Sequence, residues 1–251
     1  MASKACCEIP PVITHDYTPK GVFGEVADFK SYITGPKTSK TGILAIYDIF
    51  AYFPQTLQGA DILASAEHLV VMPDLFKGEV AEPNCYPADT PEKLKALMAF
   101  INGPANTKDG EANVRAIAEG LKKEYPGVER WGVVGYCWGA KVASLVSGPG
   151  TPFTVSAQLH PALMDVEDFK KVTIPQLILL SGDEPADEVE AYKKELTQHA
   201  NEAVRTKSHI EVYDKMVHGW MSARADFANE EARKEYERGY GQVVTFLGDN
   251  L

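Results

Sequence analysis

Apolar positions along the chain fall into two alternating patterns. Short runs such as GILAIYDIF (42–50), LVVMPDLF (69–76), RWGVVGY (130–136), FTVSAQLH (153–160) and PQLILLSG (175–182) read as strands. The first of them is a run of apolar residues broken only by Asp48, as in a strand buried on both faces. FKSYITG (29–35) reads as a short edge strand, and SHIEVYD (208–214) alternates like a final one. Between these runs lie stretches with helical spacing, at 56–68, 90–103, 109–125 and 186–200, and in a tail over 223–247 where Gly239 and Gly241 are soft points. Thr90, Pro91 and Glu92 form a helix-start signal, with a side-chain cap, a proline in the first turn and an acid behind it. Strand–helix alternation predicts an α/β fold, a mostly parallel central sheet with helices on both faces. No repeat, low-complexity tract or linker interrupts it, so the expectation is one domain over residues 1–251. The proline-containing polar stretch 77–90 reads as a loop, a lid over a cleft.

Composition narrows the partners. The 251 residues are 45% hydrophobic and 24% charged, ordinary for a folded chain, and the net charge is −10. That charge disfavours a phosphate backbone and a polybasic membrane contact. No stretch is apolar for the roughly 18–20 residues that span a bilayer, and the N-terminal residues lack a signal-peptide core. Four cysteines, Cys6, Cys7, Cys85 and Cys137, show no Cys-x-x-Cys spacing, so neither a disulfide framework nor a metal site is expected. The reading is a reduced cytoplasmic protein, monomer or homodimer, with no cofactor, acting on a small molecule and not on nucleic acid or membrane.

The chemistry centres on Cys137. The strand RWGVVGY runs straight into Gly135-Tyr136-Cys137-Trp138-Gly139, and a helix follows. A residue at such an elbow is strained, with its side chain lifted clear, and small neighbours let strand and helix approach closely. The helix N-terminus favours a thiolate and an oxyanion beside it. The bland alternative is a buried cysteine in a glycine-rich turn. An activated cysteine needs a base. His218 follows the last strand, where the order nucleophile, acid, histidine puts it. His160, at a strand end, competes but precedes the acid, so it reads as a pocket or core histidine. His15, His68, His199 and His209 read as solvent-facing. The acid should follow PQLILLSG. Asp183 is favoured, with Glu184 close behind and Asp187 next, although helix capping also uses such acids. The oxyanion donors should be the backbone amides of Ile49 and Trp138. Asp48 sits where it would face the thiol, or merely end the strand. Phe50, Tyr52, Phe53, Tyr86, Tyr136, Trp138, His160 and Trp220 are candidates for an apolar substrate pocket.

The blocks GYCWGAK, YDIF, MPDLF and HGWMSARADF together resemble the dienelactone hydrolase family of α/β-hydrolases. The resemblance runs from about residue 20 to 247. CCEIPPV and QTLQGADIL look like its fungal cytosolic members. It implies a Cys-His-Asp triad hydrolysing lactones or small activated esters through a thioester. Cys137 and His218 match the nucleophile and base, and the acid falls on Asp183 or Glu184. Asp48 matches a family acid that restrains the resting thiol. Where bacterial enzymes place arginines on a substrate carboxylate, this chain has Lys77, Gly78 and Ser222, with Arg224 coming later. That argues against a muconate-type dienelactone but not against hydrolysis. Two other readings share the scaffold: a biosynthetic isomerase or cyclase, and a non-catalytic thiol sensor.

Overall fold

The described residues form one eight-stranded sheet: β1 (Val22–Val26), β2 (Phe29–Thr34), β3 (Thr41–Ile46), β4 (Leu69–Pro73), β5 (Arg130–Tyr136), β6 (Val155–Leu159), β7 (Gln176–Ser181) and β8 (His209–Tyr213). The strand order is β1-β2-β4-β3-β5-β6-β7-β8. β2 runs antiparallel to β1 and β4, and every other pair is parallel. The structure is a computed structural model that describes residues 10–12, 17–82, 84 and 86–251. Cys6, Cys7, His15 and Cys85 lie outside them.

The apolar runs occupy the sheet interior for the expected reason. β4, β6 and β7 are buried at every residue, because helices cover both faces. On one face lie α1 (Pro54–Ala64) and α8 (Glu230–Asn250), against β4 and β2 and against β6 and β7 respectively. On the other, α4 (Trp138–Val146) lies against β3, β5 and β6, and α3 (Thr107–Glu124) covers α4 and reaches β1. α2 (Pro91–Asn102), α5 (Val166–Phe169), α6 (Ala186–Gln198) and α7 (Glu202–Lys207) complete the helices of the described residues.

Several local expectations are corrected. β2 is not an edge strand, because β1 pairs outside it. The two are joined by Ala27 and Asp28, both at positive φ (50° and 66°), in a two-residue hairpin turn. The usual Asn-Gly signal is absent there. β3 ends at Ile46, because residues 47–50 leave the sheet in a turn held by the Asp48 side chain. The tail helix begins at Glu230, where Asn229 caps the amides of Glu231 and Ala232, and it runs unbroken through Gly239 and Gly241. Gly239 is there for packing, since the Trp220 ring occupies the space a Cβ would need. His68 and His199 are buried: His68 Nδ1 meets Thr41 Oγ1 at 2.6 Å, and His199 bridges the Phe169 carbonyl and the Asn201 amide. No helix of the described residues is long and apolar enough to cross a membrane.

Candidate active site

At the carboxyl edge of the sheet the backbone is strained where the sequence motifs fall. Cys137 has φ 52° and ψ −109°, between the end of β5 and the first turn of α4. A non-glycine residue adopts that conformation only when its surroundings hold it there. A Cβ on Gly135 would strike the Gly139 carbonyl, and one on Gly139 would strike the carbonyl of Ile46. Both glycines are therefore required by the closeness of β5, α4 and β3. The elbow is pinned to β6: the Cys137 amide donates to Leu159 O (3.0 Å), and the Ala162 amide donates to Cys137 O (3.1 Å). Cys137 is 2% exposed.

The loop after β8 brings His218 to the same edge. Its Nδ1 lies 3.0 Å from Glu184 Oε1, and the Glu184 Oε2 accepts from Ser181 Oγ at 2.6 Å. Both side chains are almost fully buried. A carboxylate only accepts, so Nδ1 carries the proton and the Nε2 lone pair faces the other way. Asp183, favoured by the sequence, does a different job. It is exposed, and its Oδ2 accepts from the backbone amide of His218 at 2.7 Å. The turn after β7 directs position 184 inward and 183 outward, and the longer glutamate side chain spans the gap. Asp187 lies in the first turn of α6, the capping position open to these acids.

His160 lies beside both His218 and Tyr136, the residue before Cys137. It follows β6 with φ 39°, is completely buried, and its ring lies 5.3 Å from the His218 ring and 6.2 Å from that of Tyr136. Burial, with His218 and Arg224 nearby, pushes its pKa well below that of an ordinary histidine, so it is neutral.

Asp48 closes the site from β3. Its Oδ1 accepts from the Phe50 amide (2.8 Å), and its Oδ2 accepts from Ser222 Oγ (2.5 Å) and, more distantly, from the Ala223 amide (3.4 Å). Burial raises its pKa, against these donors and Arg224, which pull it down. Between Asp48 and Phe50 sits Ile49, whose carbonyl accepts from the Ala81 amide at 2.9 Å. Ala81, in the stretch that reads as a loop, is thus tied to the turn after β3. The Trp138 amide opens α4, where no intrahelical acceptor exists. Its indole points elsewhere, donating to Ala105 O at 2.7 Å and packing on Phe76.

The expected pocket residues divide. Phe50 and Tyr86 meet edge to face at 5.1 Å, and the Arg224 guanidinium lies 5.3 Å and 5.8 Å from their ring centres. Phe53 packs against Phe50. Tyr52 instead packs on Phe23 and Tyr47 and donates to Met72 O, on the β1–β4 side. Trp220 stacks on Tyr213 beneath α8, and Tyr136 turns its hydroxyl to Tyr240 in the core. Aromatic residues serve core and pocket alike, so composition could not separate these. Sequence order set Arg224 aside as too late after His218. The tight turns of 217–225 return it, 4% exposed, with Nη1 donating to the His218 carbonyl at 3.3 Å.

A mostly parallel sheet with a strained residue between strand and helix, and a histidine–carboxylate pair from the loops after its last two strands, defines an α/β-hydrolase fold. The chain belongs to the dienelactone hydrolase family, whose model matches residues 29–251. It is 32% identical to an uncharacterized AIM2 family protein of Schizosaccharomyces pombe, over 89% of this chain and 88% of that one. It is also 26% identical to a carboxymethylenebutenolidase homolog of Xenopus tropicalis, over 98% of both. Among solved structures, the dienelactone hydrolase from Anabaena variabilis superposes with a TM-score of 0.65 at 13% identity, covering 94% of this chain and all of that one. At that identity the likeness speaks for the fold alone.

Proposed function

We propose that this chain is a cysteine-dependent hydrolase of lactones or small activated esters that works through a thioester on Cys137. The observation that carries the reading is the strained elbow at Cys137, set at the same sheet edge as the buried His218–Glu184 pair. His218 takes the thiol proton. The thiolate attacks the carbonyl carbon, and the oxyanion is received by the amides of Ile49 and Trp138, each such donor worth about 2.7–4 kcal/mol of barrier. Collapse expels the enol or alcohol, which takes the proton from His218. Water, deprotonated by His218, then splits the thioester and returns the thiol. Glu184 holds the imidazole and offsets its positive charge, and Asp48 fixes the turn that carries the Ile49 amide. A thiolate is a better leaving group than an amine, so esters suit this site and amides do not.

Phe50, Tyr86 and Arg224 support a substrate with a flat unsaturated body and an anionic group. An arginine backed by two aromatic rings binds a carboxylate while resting on apolar surface. The test is turnover of 4-nitrophenyl acetate in water enriched in oxygen-18, by wild type and by Cys137→Ala. Wild type should form acetate carrying one heavy oxygen and, when quenched, an acetylated Cys137 peptide. The substitution should lower turnover at least about a hundredfold. Equal turnover by the two proteins refutes the reading. Conversion of an unsaturated lactone to an isomer without uptake of heavy oxygen would favour an isomerase on this scaffold.

A further inference from the structure

Three buried polar groups beside the elbow form a chain whose coupling the proposed hydrolysis does not invoke, Asp48 serving there only to fix the turn that carries Ile49. Ser222 Oγ lies 2.5 Å from Asp48 Oδ2 and 3.4 Å from His160 Nε2. Asp48 and Ser222 are 174 residues apart in sequence, Ser222 and His160 62 apart. All three are buried. His160 Nδ1 has no hydrogen-bond partner among the described residues.

A serine hydroxyl has one proton to give. Its contact with a carboxylate is the shorter and the charge-assisted one, so the proton lies toward Asp48. The Ser222 oxygen then offers His160 only a lone pair, and His160 must carry its single proton on Nε2. If Asp48 becomes a donor, Ser222 accepts from it and its own proton turns either to Nε2 or to the Gly219 carbonyl, both at 3.4 Å; when it turns to Nε2, the His160 proton moves to Nδ1. Asp48 Oδ1 is tied to the Phe50 amide in either state, so only Oδ2 can change role. The nearby titratable groups are Arg224, a cation that favours the carboxylate, and His218, 5.3 Å from the His160 ring and paired with Glu184.

We propose that Ser222 is a positioning residue that couples the donor or acceptor state of Asp48 to the tautomer of His160, and in the resting protein holds Asp48 as an acceptor and His160 as its Nε2–H form. The same hydroxyl ties the His218 loop to the turn bearing Ile49. The catalytic consequence rests on the hydrolase reading above; the tautomer coupling does not.

The experiment is long-range proton–nitrogen correlation of the histidine rings in nitrogen-15-labelled protein at pH 7, with His160 assigned through His160→Gln. Wild type should show a neutral Nε2–H ring. In Asp48→Asn the amide oxygen must face the Phe50 N–H, which turns the NH2 toward Ser222, so His160 should switch to Nδ1–H. In Ser222→Ala the added Asp48→Asn change should no longer move the tautomer, and Ser222→Thr should restore the coupling. An Nδ1–H ring in wild type, no switch in Asp48→Asn, or a switch that persists without the hydroxyl overturns the proposal. Should Ser222→Ala not fold, the wild-type, Asp48→Asn and Ser222→Thr spectra still decide it. In steady state, Ser222→Ala should lower kcat about tenfold with little change in KM, the loss of one buried charge-assisted hydrogen bond, and Ser222→Thr should recover it. A kcat within twofold of wild type removes the positioning role. If wild type shows the tautomer pattern but no Cys137-dependent turnover, the hydrolase reading fails and the coupling stands.

Discussion

Glu184 Oε1 and His218 Nδ1 lie 3.0 Å apart, while the adjacent Asp183 accepts from the main chain of the same histidine at 2.7 Å. Two neighbouring acids thus address one residue in two ways, one orienting its ring and the other its backbone.

The division of labour is testable by paired amide substitutions. Glu184→Gln keeps size but can force the wrong imidazole tautomer, so kcat for an activated ester should fall about a hundredfold to ten-thousandfold. Asp183→Asn should cost about 1 kcal/mol of stability, as the loss of one exposed charge-assisted hydrogen bond, with kcat within about tenfold of wild type. Kinetics and urea unfolding of both variants check this. A larger kcat loss in Asp183→Asn would return the acid to position 183.

The elbow glycines should be intolerant of even one methyl group. In Gly139→Ala the new Cβ meets the backbone carbonyls of Ile46 and Tyr47, which do not yield as a side chain would. Overpacking of this kind costs about 1–3 kcal/mol. Because those carbonyls immediately precede Asp48 and Ile49, activity per folded molecule should fall further than stability does. Urea unfolding and active-site titration separate the two effects.

Arg224 should set selectivity for charge. Arg224→Met keeps the apolar packing on Phe50 and Tyr86 and removes the cation. KM for a carboxylate-bearing ester should rise about tenfold to a hundredfold, the worth of a charge-assisted hydrogen bond of about 1.5–3 kcal/mol. The neutral isostere should be little affected. Matched substrate pairs under identical conditions give the ratio, and an unchanged ratio removes the anion-binding role.

His160 should make the folded state sensitive to acid. Burial first, then His218 and Arg224, hold its pKa well below 6.5, so the folded ring stays neutral where the unfolded one gains a proton. Below about pH 6.5 the unfolded chain binds more protons, and stability falls as pH drops toward the depressed folded value, by at most about 1.4 kcal/mol per pH unit from this group. Buried His68 acts in the same direction. His160→Gln should therefore lose less stability than wild type between pH 7 and pH 5. Chemical unfolding at the two pH values reads the difference, and equal losses would show that the ring titrates normally.

Much of this architecture is written in local pattern. The apolar run of β4 marks a strand covered on both faces, and β4 is buried throughout; β6 is buried throughout as well, although Ser156 and Gln158 make its sequence alternate. The Gly-Tyr-Cys-Trp-Gly stretch between a strand and a helix marks the elbow, because the two glycines are demanded by contacts within a few residues of chain and with the neighbouring strand. Sequence order alone put His218 after the last strand.

Other features needed the tertiary structure, and the reason is reach. Whether Asp183 or Glu184 faces the imidazole depends on which way one turn points two carboxylates, a matter of a few ångströms that adjacent identical charges cannot encode. Arg224 enters the site only because the loop after β8 doubles back. Ser222, Asp48 and His160 come from three separate parts of the chain and carry no shared motif. What the sequence determined by itself was the sheet and the elbow, both fixed by backbone geometry and local burial. What only folding decided was which distant side chains share a proton, because a hydrogen bond is set by distance in space.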